Sequence, residues 1–126
     1  MAELGHLESA VMDRLWSWDR PVAVREVLED LQRDRPLAYT TVMTVLDNLH
    51  RKRMVMREKD GRAYLYRPTR SREAYTAELM QGVLSQASDR GSTLLRFVEQ
   101  MSAEEVDELR GFLDQAEPVL KSTGQP

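Results

Sequence analysis

Val42, Val45, Leu46 and Leu49 stand at i, i+3, i+4 and i+7, and an Asp60-Gly61 dipeptide follows closely. The first pattern predicts a helix over Tyr39–Arg53 whose apolar residues occupy about 100° of arc on one face. The opposite side carries Thr40, Thr44, Asp47 and Arg51, bordered by Thr41, Met43 and Asn48. Its side chains are short and nearly free of long acids, so it can approach another polymer closely. The second pattern predicts a hairpin: Met54–Lys59 and Arg62–Arg67 are extended runs, and Asp-Gly suits a two-residue turn with both central residues at positive φ. A two-stranded hairpin therefore follows the helix directly.

The stretch between Pro36 and Pro68 also concentrates charge. From Arg51 to Arg72 there are nine basic and two acidic residues, a net +7. The whole chain of 126 residues carries −3, so the remainder is acidic. Residues 1–73 sum to +2 and residues 74–126 to −5, which suggests a boundary near Ser71 and two parts, 1–70 and 71–126. Local clustering, more than the total, decides whether a protein attracts nucleic acid.

The preceding chain completes the pattern. Leu7, Val11, Leu15 and Trp18, with Ala10 and Met12 beside them, predict a first amphipathic helix. Trp16 and Trp18 read as residues of the core or its edge. Asp19-Arg20-Pro21 breaks that helix, and Val22-Ala23-Val24 forms a short β-prone triplet. Val24, Val27, Leu28 and Leu31 then predict a second helix, ended before Pro36 because the residue ahead of a proline is driven out of the α region. The order helix, short strand, helix, turn, helix, strand, turn, strand is that of a winged helix-turn-helix. In that arrangement the third helix enters the major groove and the hairpin lies along the backbone. Thr40, Thr41, Met43, Thr44 and Asn48 are then the candidates for base contact. Arg51, Lys52, Arg57, Lys59 and Arg62 are the candidates for phosphate contact. Tyr64 and Tyr66 share one face of the hairpin and are read as packing residues.

Beyond Pro68 the chain reads as helical. A helix capped by Ser71 is expected to reach about Asp89, followed by a stop at Gly91 and a restart at Ser92. Ser102 and Glu105 have capping-box spacing, and the final helix is expected to end at Pro118, leaving Lys121–Pro126 as a frayed tail. Leu79, Val83, Leu84, Leu95, Phe97, Val98, Leu109, Phe112 and Leu113 form apolar stripes on several sides, too extensive for so small a region to cover alone. A second copy is the expected cover. The fold class is therefore mainly α with a small β-hairpin: a winged helix-turn-helix followed by a helical dimerisation region.

Other classes find little support. There is no cysteine, which excludes disulfides, thiolate nucleophiles and cysteine metal sites. His6 and His50 lack partners at ligand spacing, and Glu104, Glu105, Asp107 and Glu108 fall at the start of a capped helix, where acids favour the dipole. No glycine-rich phosphate loop, apolar span of about 18 residues or signal peptide is read, so neither enzyme chemistry nor a cofactor is expected and the setting is cytoplasmic. A winged helix can also serve as a protein-interaction module, but that use would favour apolar residues on the outer helix face.

LESAVMDRLW (7–16), VREVLEDL (24–31), AYTTVMTVLDNLHRKRMV (38–55), KDGRAYLYRP (59–68) and RFVEQMSAEEVDELRGFL (96–113) together resemble the penicillinase and methicillin-resistance repressors of the BlaI/MecI type. The resemblance runs from about Leu7 to Gln115. It implies a homodimer that represses transcription at inverted-repeat operator DNA, controls β-lactam resistance genes, and is released when a membrane-bound metalloprotease sensor leads to its cleavage. No small-molecule ligand is implied. The family's base-facing positions fall on Thr40, Thr41, Met43 and Thr44. Two of them are basic in well-known relatives; Thr40 and Met43 are not, and methyl contact with thymine and hydroxyl hydrogen bonding are the chemistry on offer. The staphylococcal Asn-Phe cleavage bond falls on Arg96-Phe97, with the phenylalanine kept and the asparagine replaced. The copper-responsive branch uses C-terminal cysteines, which this chain lacks.

Overall fold

The computed structural model describes residues 4–123, with side chains through residue 116. Seven elements form in order: α1 (His6–Trp18), β1 (Val22–Ala23), α2 (Val24–Leu31), α3 (Tyr39–Arg51), β2 (Val55–Asp60), β3 (Ala63–Pro68) and α4 (Arg72–Leu84). The strands make one antiparallel sheet in the order β1-β3-β2, in which Val22 faces Tyr66 and Arg57 faces Tyr66 from the other side. This is the winged helix expected from the sequence.

Its core follows the predicted stripes. Val42, Val45, Leu46 and Leu49 of α3 are buried together with Val11, Met12 and Leu15 of α1, Val24, Val27, Leu28 and Leu31 of α2, and Val22, Val55 and Tyr66 of the sheet. On α1, Met12 lies in the core and Leu7 and Trp18 only at its margin, so the inward face is turned slightly from the Leu7-Val11-Leu15-Trp18 line. Among the described residues no polar or charged side chain is buried. The sheet and helices are thus joined by apolar contact, the dominant favourable term in folding.

The hairpin turn is displaced by one residue from expectation. Asp60 still pairs, opposite Ala63, and the two-residue loop is Gly61-Arg62. Gly61 has φ +66° while Arg62 does not have positive φ, which matches a II′ turn with glycine at its first central position. Glycine is the residue that reaches positive φ at no steric cost, so it takes that slot and leaves Asp60 in the strand.

Helix α3 ends in a Schellman motif: the Met54 N–H donates to Leu49 O (2.9 Å) and the Arg53 N–H to His50 O (3.0 Å). The left-handed position falls on Arg53, at φ 63°, where glycine would be unstrained.

The N-terminal unit extends past the boundary near Ser71 that charge suggested. Contacts divide the chain into 1–82 and 83–126, because α4 belongs to the winged fold. Tyr75 is buried, its ring 5.7 Å from that of Trp16, and Leu79 packs against the same core. Arg72 pairs with Asp13 at 2.7 Å, and the Ser71 hydroxyl accepts from the Ala74 N–H as the expected cap. α4 stops at Leu84, short of the expected Asp89.

The second unit contains α5 (Arg90–Glu99) and α6 (Ala103–Thr123). Asp89 caps α5, accepting from the Ser92 N–H (3.1 Å) and hydroxyl (2.9 Å), which hold its carboxyl below the ordinary range. Gly91 is therefore inside the helix, and no stop occurs there: an aspartate cap satisfies an orphan amide that a glycine leaves open. The Ser102–Glu105 capping box forms as expected, with reciprocal bonds of 2.9 and 3.1 Å. α6 continues through Pro118 to Thr123, past the expected end, although an interior proline removes one backbone hydrogen bond and crowds the carbonyl four residues back. The end of the expected tail, 124–126, lies outside the described residues. No helix among the described residues is long and apolar enough to cross a membrane.

Two carboxylates tie the N-terminal unit together and give it a pH signature. Burial pushes Glu8 up, but hydrogen bonds from Lys52 and the Gly5 amide, with the Lys52 charge, leave it below its ordinary 4.5. Glu26 is held below the same value first by Arg20 and then by the Ala23 amide. A group depressed on folding contributes stability above its unfolded pKa and loses it as the pH falls through the folded one. A Glu8→Gln, Glu26→Gln double variant should thus show a smaller drop in urea midpoint from about pH 5 to about pH 3 than the parent chain. An equal drop would assign the acid sensitivity to other carboxylates.

Candidate nucleic-acid interface

The inner stripe of α3 fixes its outer face. With Val42, Val45, Leu46 and Leu49 buried, Thr40, Thr41, Met43, Thr44 and Asp47 are exposed and Asn48 is half-buried at the margin. Met43 is 43% and Tyr39 41% exposed, so the start of the helix presents methyl, hydroxyl and aromatic groups together. The N-cap, Ala38, provides no side-chain acceptor, and no acid occupies the first turn. No side-chain carboxylate or cap therefore offsets the positive end of the helix dipole. His50 and Arg51 occupy the last turn.

The five cations expected at phosphates fall into two groups. Arg51, Lys59 and Arg62 are exposed and hold no ion pair among the described residues. Lys52 is paired with Glu8 at 2.7 Å, and Arg57 with Asp47 at 2.9 Å. Arg57 also lies over the Tyr64 ring, 4.3 Å from its centroid. Its guanidinium is pushed further above its ordinary pKa by Tyr66 first and, against a desolvation effect, by Asp47, so it is charged at every accessible pH. Tyr66 is buried and Tyr64 packs against the core, as the packing reading of the tyrosines expects.

Three residues of this surface were not singled out by the sequence. Arg53 is exposed at the strained left-handed position between α3 and β2, and backbone strain of this kind concentrates at functional sites. Its signal was a basic residue in the slot where a helix end prefers glycine. Arg25 stacks on Tyr39, 5.9 Å from the ring centroid, joining α2 to the start of α3. That pairing depends on the crossing of the two helices, which no spacing reveals.

The apolar residues expected to pair two copies divide similarly. Leu79 is engaged by the N-terminal core. In the second unit Val83 is 73% exposed, and Leu95, Phe97, Phe112 and Leu113 are each more than half exposed. Leu84, Val98 and Leu109 are half-buried, and no described side chain from 83 to 116 is buried. Arg96 and Phe97 both lie exposed inside α5, with Arg96 3.4 Å from Glu99.

Comparison with known proteins agrees with this architecture. The chain is 48% identical over 120 residues to the transcriptional regulator BlaI of Mycobacterium tuberculosis, covering 93% of this chain and 87% of that protein. It is 24% identical over 116 residues to the methicillin resistance regulatory protein MecI of Mammaliicoccus sciuri, covering 89% and 94%. The complex structure of hsRosR-S1 has a similar fold, with a TM-score of 0.50, 18% identity, and coverage of 84% of this chain and 95% of that one. The penicillinase repressor family model matches residues 4–115. The chain belongs to the penicillinase repressor family of DNA-binding transcriptional regulators.

Proposed function

We propose that this repressor acts in the cytoplasm as a homodimer on an inverted-repeat operator and controls β-lactam resistance genes. The observation that carries the dimer is the second unit, in which no described side chain from 83 to 116 is buried while Val83, Leu95, Phe97, Phe112 and Leu113 are exposed. A helical pair with no buried apolar residue lacks the main favourable term in folding, and a second copy supplies it. Each winged unit then reads one half-site with Thr40, Thr41, Met43, Thr44 and Asn48, and anchors on phosphates with Arg51, Lys59 and Arg62. Release by a protease activated through a membrane sensor is part of the same proposal, as the resemblance to the BlaI/MecI type implies. Arg96-Phe97 is the proposed bond, and a cut there divides the apolar set that joins the copies.

Selection of bound sequences from random duplex DNA tests the reading and returns the operator. On that operator two substitutions should behave differently. Arg62→Ala should weaken binding to every sequence and flatten the dependence of log affinity on log salt by roughly one unit. Thr44→Ala should leave that slope unchanged and lower preference at particular base pairs, by about 1–3 kcal/mol for each base edge no longer read. Equal weakening by Thr44→Ala on operator and random DNA would make Thr44 a positioning group, and an unchanged slope for Arg62→Ala would remove the turn from the interface.

A further inference from the structure

Asp47 lies on the outer stripe of α3, in line with Thr40, Thr44 and Arg51, where a carboxylate meets a polyanion. Arg57 reaches it from β2, Nη1 to Oδ1 at 2.9 Å. The guanidinium is also stacked on Tyr64, whose ring lies 6.3 Å from that of Tyr66, and Tyr66 is 2% exposed. One continuous set of contacts thus runs from the outer face of α3 through the hairpin into the core. The side chain of Arg57 is 25% exposed, unlike Lys59 and Arg62, which are exposed.

We infer that Arg57 is a positioning residue, and not a phosphate contact: it holds the wing against the recognition helix and neutralises Asp47 on the DNA-facing side. This rests on the DNA-binding reading of α3 and the hairpin. Beyond Glu58 and Leu65, where pairing with β1 ends, the hairpin is only two-stranded, so the angle of its tip to α3 depends on what tethers it. The planar guanidinium suits both tasks, because it stacks on an aromatic face while donating at its edge. Left without Arg57, Asp47 would repel phosphates within a Debye length of about 8–10 Å. Left without Asp47, Arg57 would be released toward the backbone of the duplex.

These consequences give signs that a purely structural role does not. In the intact chain, Arg57→Ala should lower operator affinity on the order of tenfold at fixed salt and flatten the salt slope, because the bare Asp47 carboxylate then faces the phosphates, whereas the Arg57→Ala, Asp47→Ala double variant should keep the slope of the parent chain. Adding Asp47→Ala to Arg57→Ala should recover part of that affinity, since the bare carboxylate is gone. Asp47→Ala alone should strengthen binding to random duplex, steepen the slope by about one unit and reduce the operator-to-random ratio. Arg57→Lys should restore part of the affinity that Arg57→Ala removes, with thermal unfolding of each variant confirming that it is folded. The inference is overturned if the Arg57→Ala, Asp47→Ala double variant has a slope flatter than that of the parent chain by about one unit, or if adding Asp47→Ala rescues nothing. In either case operator binding by the parent chain, with its slope reduced in Arg62→Ala, leaves the DNA-binding reading standing. A parent chain that binds no duplex overturns both.

Discussion

Leu46→Ala is expected to cost about 2–5 kcal/mol of folding free energy, the range for emptying a buried leucine site. Leu46 is wholly buried in α3, within the core that the helices share with the sheet. A domain of this size has roughly 5–15 kcal/mol in total, so this one change removes a large share of it. The effect on DNA is indirect but large. Thr40, Thr44 and Arg51 face outward together only because the other side of the same helix is held in the core. The measurement is the urea midpoint of the parent, Leu46→Ala and Met43→Ala chains, with operator binding at temperatures below and above the transition of the weakest variant. Met43 is 43% exposed, and its truncation should stay within about 0.5 kcal/mol while affecting DNA contact. A Leu46→Ala cost near that of Met43→Ala would mean that the stripe at 42, 45, 46 and 49 does not orient the helix.

The parts of the fold legible in the sequence are those governed by local periodicity. The α3 stripe, the capping box at Ser102 and Glu105, and the hairpin all depend on residues close in the chain, and all formed. Where two local signals compete, periodicity does not decide. Gly61 claimed the positive-φ slot from Asp60, and Asp89 outweighed Gly91 as the punctuation before α5. The site was legible as a composition and less so as a geometry. A run of cations marks the hairpin, but which of them are free is set by Glu8, 44 residues from Lys52, and by the crossing of Arg57 over Asp47. Charge also set the domain boundary too early. The packing of Tyr75 on Trp16, which carries α4 into the winged unit, joins residues far apart in sequence that have no charge at all.

That packing changes how the dimer is best tested. A fragment ending near residue 73 would remove Tyr75 and Leu79 from the N-terminal core, whereas residues 1–82 retain both. The 1–82 fragment is expected to fold, to run as a monomer, and to bind the full palindrome about 10²–10⁴-fold more weakly than the intact chain. The weakening comes from effective concentration. Once one winged unit is bound, its tethered partner meets the second half-site at roughly millimolar local concentration, and a separate fragment must bind from bulk solution. Two linked units also restrict the operator, so selected half-sites should lie about one helical turn of 10 base pairs apart, or a multiple of it. Phe112→Glu in the intact chain tests the same clamp without truncation, since Phe112 is 58% exposed on α6 and a buried unpaired carboxylate is costly at an interface. It should give a monomer with the weak affinity of 1–82 and an unaltered preference at each half-site. A dimeric 1–82, or a monomeric one that binds the palindrome as tightly as the intact chain, would show that the second unit is not the clamp. Cutting at Arg96-Phe97 would then leave DNA occupancy unchanged, and release by proteolysis would need another bond.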